Sequence, residues 1–509
     1  MTPATSSHWR PALGCLLLAG LFFWWLVGHR VDLLNDEGIY LDGARRIVAG
    51  QVPYRDFFAL TGPGVFWNLA AAFYLLGLKF SSARLILVLD MALLAGGLFW
   101  LAAQLTSRRV AAVLTFGFCS FLAGNAGMLK VTHRWDSSAL SLAAIVLLWA
   151  GLQRNRGVLF ALAGIAAGYA AWITPSMLAL PIAITLWLLL QSSERPRAVP
   201  FLAGIALVSA IAAAWLATNQ ALLPMIDHLL WTSRNYAGAN RFAYGGIPGG
   251  YGALFKDAAG AEYLIRGAVV FFVALPAVLP PIALVWLLPK HRSRLTILLV
   301  VCAAALLVSC LPRWDLDHLE YVEPLFLILA GAWLAQALPP RPLAAAAVMF
   351  TGTAAVFLFV AIAGVLQLSP LQTKRGFVRG SAPDVSQIEK MLTPLPAGDG
   401  VYIYSYLPTL YFFTDAVNPT RYSYLQPGMM TDNDELSVLT DLQRQPPSWV
   451  IYNELSIEEL LRVFPSSDPK RLRLVRLETW LKENYKPANP AIPPSRGIEL
   501  YSRITAPAP

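Results

Sequence analysis

The sequence predicts an α-helical polytopic membrane protein of about eleven transmembrane helices, with interfacial helices in the first external loop and a small α/β soluble domain at the C-terminus. Three observations carry this. The 509-residue chain is 57% apolar and 14% charged, too apolar for a soluble domain of ordinary composition. Its apolar residues fall into runs near the roughly 20 residues that a membrane span requires. Beyond Ser369 those runs stop, and charges and prolines rise.

The first run, Leu13 to Val27, has only Arg10 before it, and Phe22-Phe23-Trp24-Trp25 stands where a cleavage site would need small residues. It reads as a retained first helix within a span at 11–28. Further candidate spans lie near 83–105, 110–129, 137–153, 158–173, 176–191, 198–219, 267–288, 295–311, 319–338 and 343–368. The run 63–78 is ambiguous. If it spans, Arg108, Arg109 and every later basic loop fall outside, against the positive-inside rule. Laid along or into the outer surface, it puts Arg108-Arg109, Arg154 and Arg156, Arg195 and Arg197, Lys290, Arg292 and Arg294, and Arg341 in the cytoplasm. The preferred topology therefore has the N-terminus inside, the C-terminus outside, and a boundary between residues 1–369 and 370–509. Those loops also account for the net charge of +9, so no nucleic-acid partner is read from it. Cys15, Cys119, Cys302 and Cys310 fall in or beside the apolar runs without metal-ligand spacing.

On this topology the outer side carries 29–82, the 130–136 turn, 220–266, the 312–318 turn and the C-terminal part. In the first, Asn35-Asp36-Glu37-Gly38-Ile39-Tyr40 opens a helix from Asp36 to Gly50, with Pro53 beyond it. Its apolar stripe of Ile39, Tyr40, Ala44, Ile47 and Val48 suits a helix lying in the interface plane. The 220–266 region is amphipathic and then Gly-rich, reading either as a mobile cover over a site or as a plain connector. Beyond Ser369, helix-like pieces at 384–393, 434–444, 455–464 and 472–484 alternate with strand-like pieces at 401–404, 449–452 and 499–502. The aromatics Tyr402, Tyr404, Tyr406, Tyr411, Phe412, Phe413, Tyr422 and Tyr424 form either a core or a sugar-stacking surface.

Asp36-Glu37 just after the first span, the short helix that follows, and Pro53-Tyr54-Arg55-Asp56-Phe57-Phe58 with Gly62-Pro63-Gly64 together resemble the first external loop of the GT-C glycosyltransferases. The resemblance is nearest to the bacterial protein mannosyltransferase and aminoarabinose transferase type. It implies an inverting enzyme of the bacterial inner membrane with its site on the outer face. The donor would be a polyprenyl-phosphate-linked sugar and the acceptor a hydroxyl on a protein, lipid or glycan. Such a reaction needs a base for the incoming hydroxyl and positive charge near the departing phosphate. Asp36 is the candidate base, and helix capping is its structural alternative. Glu37 is either a supporting acid or a solvated helix position. Asp136 resembles the second acidic position of these enzymes, against a reading as an N-cap.

For the phosphate, Arg45, Arg46 and Arg55 are the nearest basic residues, and arginine's planar fork suits that group. Aminoarabinose transferases carry an arginine two positions after the acidic pair and a lysine before the first proline of the Pro-rich segment. This chain has Ile39 and Gly62 at those places. The turns His133-Arg134-Trp135-Asp136 and Arg313-Trp314-Asp315-Leu316-Asp317-His318 reach the same side, so His133, Arg134, Arg313 and His318 join the candidates for donor binding. Asp36, Glu37, Asp136 and His133 supply a loose ligand set for Mg²⁺, Mn²⁺ or Zn²⁺, and whether a divalent ion is used stays open. Asp90, deep in a span, is either functional or paired with Arg84 or another helix. The rival to an enzyme is a non-enzymatic transporter of lipid-linked sugars. That rival expects polar residues at the bilayer midplane and repeated halves, whereas the polar residues here gather at span ends.

Overall fold

The computed structural model describes residues 8–33, 36–287, 293–395, 398–426, 428–453, 456–488 and 498–504. Asn35, Leu288, Lys290, Arg292 and Leu455 lie outside the described residues.

Each apolar run of the sequence forms helix. In chain order they begin with α1 (Trp9–Val27), α2 (Glu37–Val48), α3 (Gly64–Leu76), α4 (Phe80–Leu105), α5 (Arg108–Gly124) and α6 (His133–Arg154). There follow α7 (Gly157–Ile173), α8 (Ala179–Leu190), α9 (Arg195–Thr218), α10 (Leu222–Asn240), α11 (Ala261–Val273) and α12 (Leu275–Leu287). The helical part closes with α13 (Arg294–Ser309), α14 (Leu316–Glu320), α15 (Glu323–Ala337) and α16 (Pro340–Leu366). Five of them, α1, α4, α6, α9 and α16, are long and apolar enough to cross a membrane, and the other apolar helices are shorter. The chain is a membrane protein. α3, with 13 residues, is about 20 Å long at 1.5 Å per residue, short of a bilayer core of about 30 Å.

The basic loops meet at one end of the bundle, beside the start of α1. Arg108 donates to His8 (3.4 Å), Arg154 lies over the Trp9 ring (5.3 Å), and Arg197 reaches Asn155 (2.8 Å). Arg197 and Arg294 also pair with the buried Glu194. The opposite end carries α2, the 130–136 and 312–318 turns, and everything beyond α16.

Three expectations about the elements change. The run 267–288 is two helices meeting at Ala274, because Pro276 supplies no N–H and disfavours a helical residue before it. The 220–266 region is not a bare connector. It opens with the 19-residue α10, and its Gly-rich part is bonded to the 312–318 turn through Gly245 N–H to Trp314 C=O (2.7 Å) and Leu316 N–H to Gly246 C=O (3.0 Å). And α6 starts four residues before the expected span, with Thr132 as its N-cap, which places Asp136 inside the helix.

Beyond α16 the chain forms an antiparallel hairpin of β1 (Ser369–Thr373) and β2 (Gly376–Gly380), then α17 (Ala382–Leu392), β3 (Val401–Tyr404) and α18 (Thr409–Phe413). It continues through α19 (Asp432–Arg444), β4 (Trp449–Asn453), α20 (Ile457–Val463), α21 (Val475–Asn484), β5 (Tyr485–Pro487) and β6 (Ile498–Arg503). The sheet order is β3-β4-β6-β5, with β3 parallel to β4 and the other pairs antiparallel. One face of the sheet, with Val401, Ile403 and Ile451, shares the core of the helices, joined by Phe73 stacked on Phe412 (5.6 Å) and Phe80 on Phe413 (5.7 Å), while Tyr402, Tyr404, Val450 and Tyr452 on the other face form a second core with α19 and α21.

This layer covers α2, so α2 is not simply a helix floating in the membrane interface. Tyr40, Leu41, Asp42, Ala44 and Arg46 are all buried. Asp42 accepts from Ser423 Oγ (2.5 Å), and Arg46 reaches Ser423 Oγ (3.4 Å) and the Thr420 carbonyl (3.3 Å). At Gly38 the two parts touch: a Cβ there would sit 2.0 Å from Thr409 N and 2.4 Å from Pro408 C, both backbone atoms. Gly38→Ala is therefore expected to force α2 and α18 apart, at about 1–3 kcal/mol. A lower melting temperature in detergent and faster proteolysis after residue 369 would show it. An unchanged melting curve would mean the contact yields freely.

Candidate functional site

Asp36 stands at the N-terminal edge of α2 and is exposed, yet its carboxylate makes no capping bond to the helix. It accepts instead from the hydroxyl of Tyr406, in the loop between β3 and α18. Burial, and then the charge of Asp36, pushes the Tyr406 phenol well above its usual range, so it remains a donor at neutral pH. Asp36 also acts electrostatically on Tyr40, Tyr236, Tyr321 and Tyr424. An accessible carboxylate thus sits in a wall of five phenols contributed by α2, α10, the α14–α15 joint and the C-terminal layer.

Two arginines belong to the same neighbourhood. Arg313 lies within electrostatic range of Asp36 and of Tyr236. It is held by Asp315, by Asn240 Oδ1 (3.2 Å), and over the Phe242 ring (5.3 Å). Arg134, in the first turn of α6, acts on Tyr40, Tyr236 and Tyr321 and donates Nη1 to the Ser309 carbonyl (3.0 Å). Its buried Nε has no hydrogen-bond partner among the described residues. A donor left unpaired inside a structure has a free-energy incentive to meet an anion.

Asp315 organises the 312–318 turn. It caps α14 by accepting from the His318 N–H (3.0 Å), accepts from His318 Nδ1 (2.6 Å), and pairs with Arg313. Burial raises this carboxyl, but the His318 hydrogen bond and the charges of His318 and Arg313 outweigh it and hold Asp315 at about 2. Burial lowers His318 despite Asp315. A folded-state value below the unfolded one near 3.8 makes Asp315 stabilising above that unfolded value, with the gain lost as pH falls toward about 2. At 1.36 kcal/mol per unit this is about 2 kcal/mol at neutral pH. Asp315→Asn is expected to lower the melting temperature at pH 7, with the gap to wild type narrowing below pH 4 and closing as the pH approaches 2. A gap independent of pH would exclude the charge as its cause.

The remaining sequence candidates are engaged elsewhere. Glu37 is not a solvated helix position: it is fully buried, paired with Arg84 (2.7 Å), and accepts from the Val131 N–H (3.1 Å). Arg45 is bound to Asp42 (2.7 Å), and Arg55 to Asp56 (2.8 Å) and the Asn219 carbonyl (3.1 Å). His133 is hydrogen-bonded to Thr174 Oγ1 (2.7 Å), with its ring 5.8 Å from that of Tyr40. Asp136 is not an N-cap. It is buried, accepts from Asn68 Nδ2 (2.8 Å), and meets Asp90, so Asp90 faces a carboxyl of another helix, α6, and not Arg84. The loose metal set of Asp36, Glu37, Asp136 and His133 consequently does not assemble. Among the described residues no three His, Cys, Asp or Glu side chains converge to hold an ion.

No protein-family model matches the chain, and no curated protein matches it. Solved structures do. ArnT from Cupriavidus metallidurans bound to undecaprenyl phosphate superposes with a TM-score of 0.58 at 14% identity, over 96% of this chain and 98% of that one. An oligosaccharyltransferase from Archaeoglobus fulgidus, tethered to an acceptor peptide, gives 0.50 at 12%, over 98% and 74%. The same organism's AglB, in complex with an inhibitory peptide and a dolichol-phosphate, gives 0.50 at 11%, over 98% and 75%. The chain has the GT-C fold. Within that fold, Asp36, Arg134 and Arg313 are the sequence candidates brought to one place, with His318 behind them on Asp315. Tyr406 and Tyr424 enter the sequence reading only among the aromatics of a core or sugar-stacking surface, and Tyr321, Tyr236 and Tyr40 carry no site reading there. Tyrosines beside a carboxylate in a chain this rich in aromatic residues carry no local mark of their role.

Proposed function

We propose that the chain is an integral-membrane inverting glycosyltransferase that moves a sugar from a polyprenyl-phosphate-linked donor to an acceptor hydroxyl. The observation that carries this is the Asp36 carboxylate, accessible, holding a hydroxyl donor, with Arg313 in electrostatic range and Arg134 acting on three of the same tyrosines, on a fold shared with proteins solved around lipid phosphates. Asp36 takes the proton of the acceptor hydroxyl as its oxygen bonds to the anomeric carbon. The bond from that carbon to the phosphate oxygen breaks on the opposite side, which inverts the centre. The phosphate leaves with the electron pair toward Arg134 and Arg313, and no general acid is needed because a phosphate leaves unaided. The residues present do not gather as a metal site, and no step is assigned to a metal.

The orientation follows the same reading. Basic loops at one end and the site at the other fit an outer-face enzyme of the bacterial inner membrane, with about eleven spans in residues 1–369 and an extracytoplasmic α/β domain in 370–509. The sugar is a hexose or pentose, and the acceptor a protein, lipid or glycan.

The test is transfer of labelled sugar from polyprenyl phosphate to a membrane extract by the reconstituted protein, with product stereochemistry read by NMR. Labelled product of inverted configuration supports the proposal; retained configuration overturns the single displacement. Arg134→Met is expected to raise the donor KM by about 10-fold or more, since a hydrogen bond to a charged group contributes about 1.5–3 kcal/mol. An unchanged KM would remove Arg134 from the phosphate site. The buried Asp90 and Asp136 favour a second reading as a transporter of lipid-linked sugars, because intramembrane carboxyls mark translocation paths. Flipping of the lipid-linked sugar without transfer would establish it.

A further inference from the structure

A cavity of about 300 Å³ opens at the outer end of α1, where α16 and the β1–β2 hairpin meet it. It shares no lining residue with the Asp36 site. Its walls are Trp24 and Trp25 of α1, Val365 and Leu368 at the end of α16, and Phe377 of the hairpin, and its cations are Arg30 and Arg379. The two arginines are set side by side by the backbone. Val31 N–H bonds to the Arg379 carbonyl (2.7 Å), and Arg379 N–H to the His29 carbonyl (2.7 Å). Among the described residues neither guanidinium pairs with a carboxylate, although Asp32 and Asp384 act on Arg30 from a distance. His29 is spoken for by the Phe377 carbonyl (3.2 Å) and packs between Trp24 and Phe377.

Below the cavity α1 turns bare apolar surface outward on the face that carries Trp24 and Trp25: Leu17 and Leu21 are 56% and 71% exposed. Paired cations over an apolar strip, with tryptophans at the level where a bilayer's headgroups lie, match an amphiphile with an anionic head. The volume is at the low end of the range of about 300–1,000 Å³ that small ligands occupy. We propose that this cavity binds one anionic phospholipid, its phosphate between Arg30 and Arg379 and its acyl chains along α1. The proposal rests on the membrane location of the chain and not on the transfer reaction. Because Arg30 and Val31 lie a few positions before Asp36 and are bonded to the hairpin, an occupied site would pin the hairpin of the C-terminal layer to the segment that precedes the site helix.

The experiment is titration of the full-length protein in detergent with phosphatidylglycerol or phosphatidylcholine, followed by native mass spectrometry. Wild type is expected to hold one phosphatidylglycerol in preference to phosphatidylcholine. Each arginine near an anionic lipid is worth about fivefold in affinity, so Arg379→Gln should weaken binding about fivefold and Arg30→Gln/Arg379→Gln about 25-fold. Arg109→Gln, at the opposite end of the bundle, should leave it unchanged. Arg379 is exposed, its side chain lies over the Phe377 ring (5.7 Å), and its bonds to the 29–31 segment use only backbone atoms, so the single variant keeps the test valid if the double variant does not fold. The proposal is overturned by equal binding of both lipids, by variants that bind as wild type, or by Arg109→Gln losing as much as Arg379→Gln. Displacement of the lipid by millimolar inorganic phosphate would show a small-anion site instead, and displacement by equimolar polyprenyl phosphate a second carrier site.

Discussion

Asp36→Asn is expected to lower the rate of sugar transfer by about 10²–10⁴-fold, the usual contribution of a general base, with the protein folded and donor binding retained. The amide keeps the shape of the carboxylate and can still accept from the Tyr406 hydroxyl, so the loss isolates proton removal from packing. Tyr406→Phe is the informative companion. Its hydroxyl donates to Asp36, as an acceptor hydroxyl must do before it attacks. If the phenol holds that position in the resting protein, its removal should leave kcat within about tenfold and lower the acceptor KM, because the acceptor no longer displaces a hydrogen bond to a charged group. A Tyr406→Phe variant as inactive as Asp36→Asn would instead place the phenol in the proton path. An Asp36→Asn variant with wild-type turnover would remove Asp36 from the chemistry altogether.

How far the sequence reached depended on whether a residue's partner was near in the chain. The helices were legible because each is a long apolar run, and the break at Ala274 was signalled by Pro276. The three strand-like stretches beyond residue 400 are β3, β4 and β6. Asp36, Arg134 and Arg313 were legible as polar residues at the ends of such runs on one side of the membrane. Arg45 and Arg55 pair with acids that the sequence already sets beside them: Asp42 precedes Arg45 by three positions, one helical turn, and Asp56 follows Arg55 directly. Asp136 misled because Thr132, one turn earlier, starts the helix. Tyr406 was not separable, since Tyr402, Tyr404, Tyr411, Phe412, Phe413, Tyr422 and Tyr424 around it are all buried and the spacing is the same. Its partner is 370 positions away. Contacts of that separation are fixed by how layers pack, and no periodicity within one segment encodes them.

The pair Glu37 and Arg84 is the second place where a single change should have a large effect. Both side chains are buried, with Arg84 Nη2 bonded to Glu37 Oε2 (2.7 Å), Nη1 to the Leu129 carbonyl (2.6 Å), and the guanidinium over the Phe80 ring (4.9 Å). The bridge therefore ties the start of α2, the 129–131 turn and α4 together one residue from Asp36. Arg84→Met fills most of the volume but leaves Glu37 buried without its counter-charge, a change that costs about 3–5 kcal/mol in comparable sites. Burial already pulls the Glu37 carboxyl upward, and Arg84 is the main opposing influence. Without Arg84 the folded-state value rises further above the unfolded one, so the destabilisation is greatest at high pH and shrinks as pH falls toward the ordinary carboxylate range. The expected result is a melting temperature in detergent well below wild type at pH 8, with a smaller deficit at pH 5. Glu37→Gln/Arg84→Met should recover part of the loss, because the pair is coupled and the neutral amide no longer needs a cation. If the double variant is no more stable than Arg84→Met, the lost bond to Leu129 and the packing on Phe80 outweigh the charge. Transfer activity should follow the single variant down even in the folded fraction, since Asp36 keeps its place only while the first turn of α2 is held.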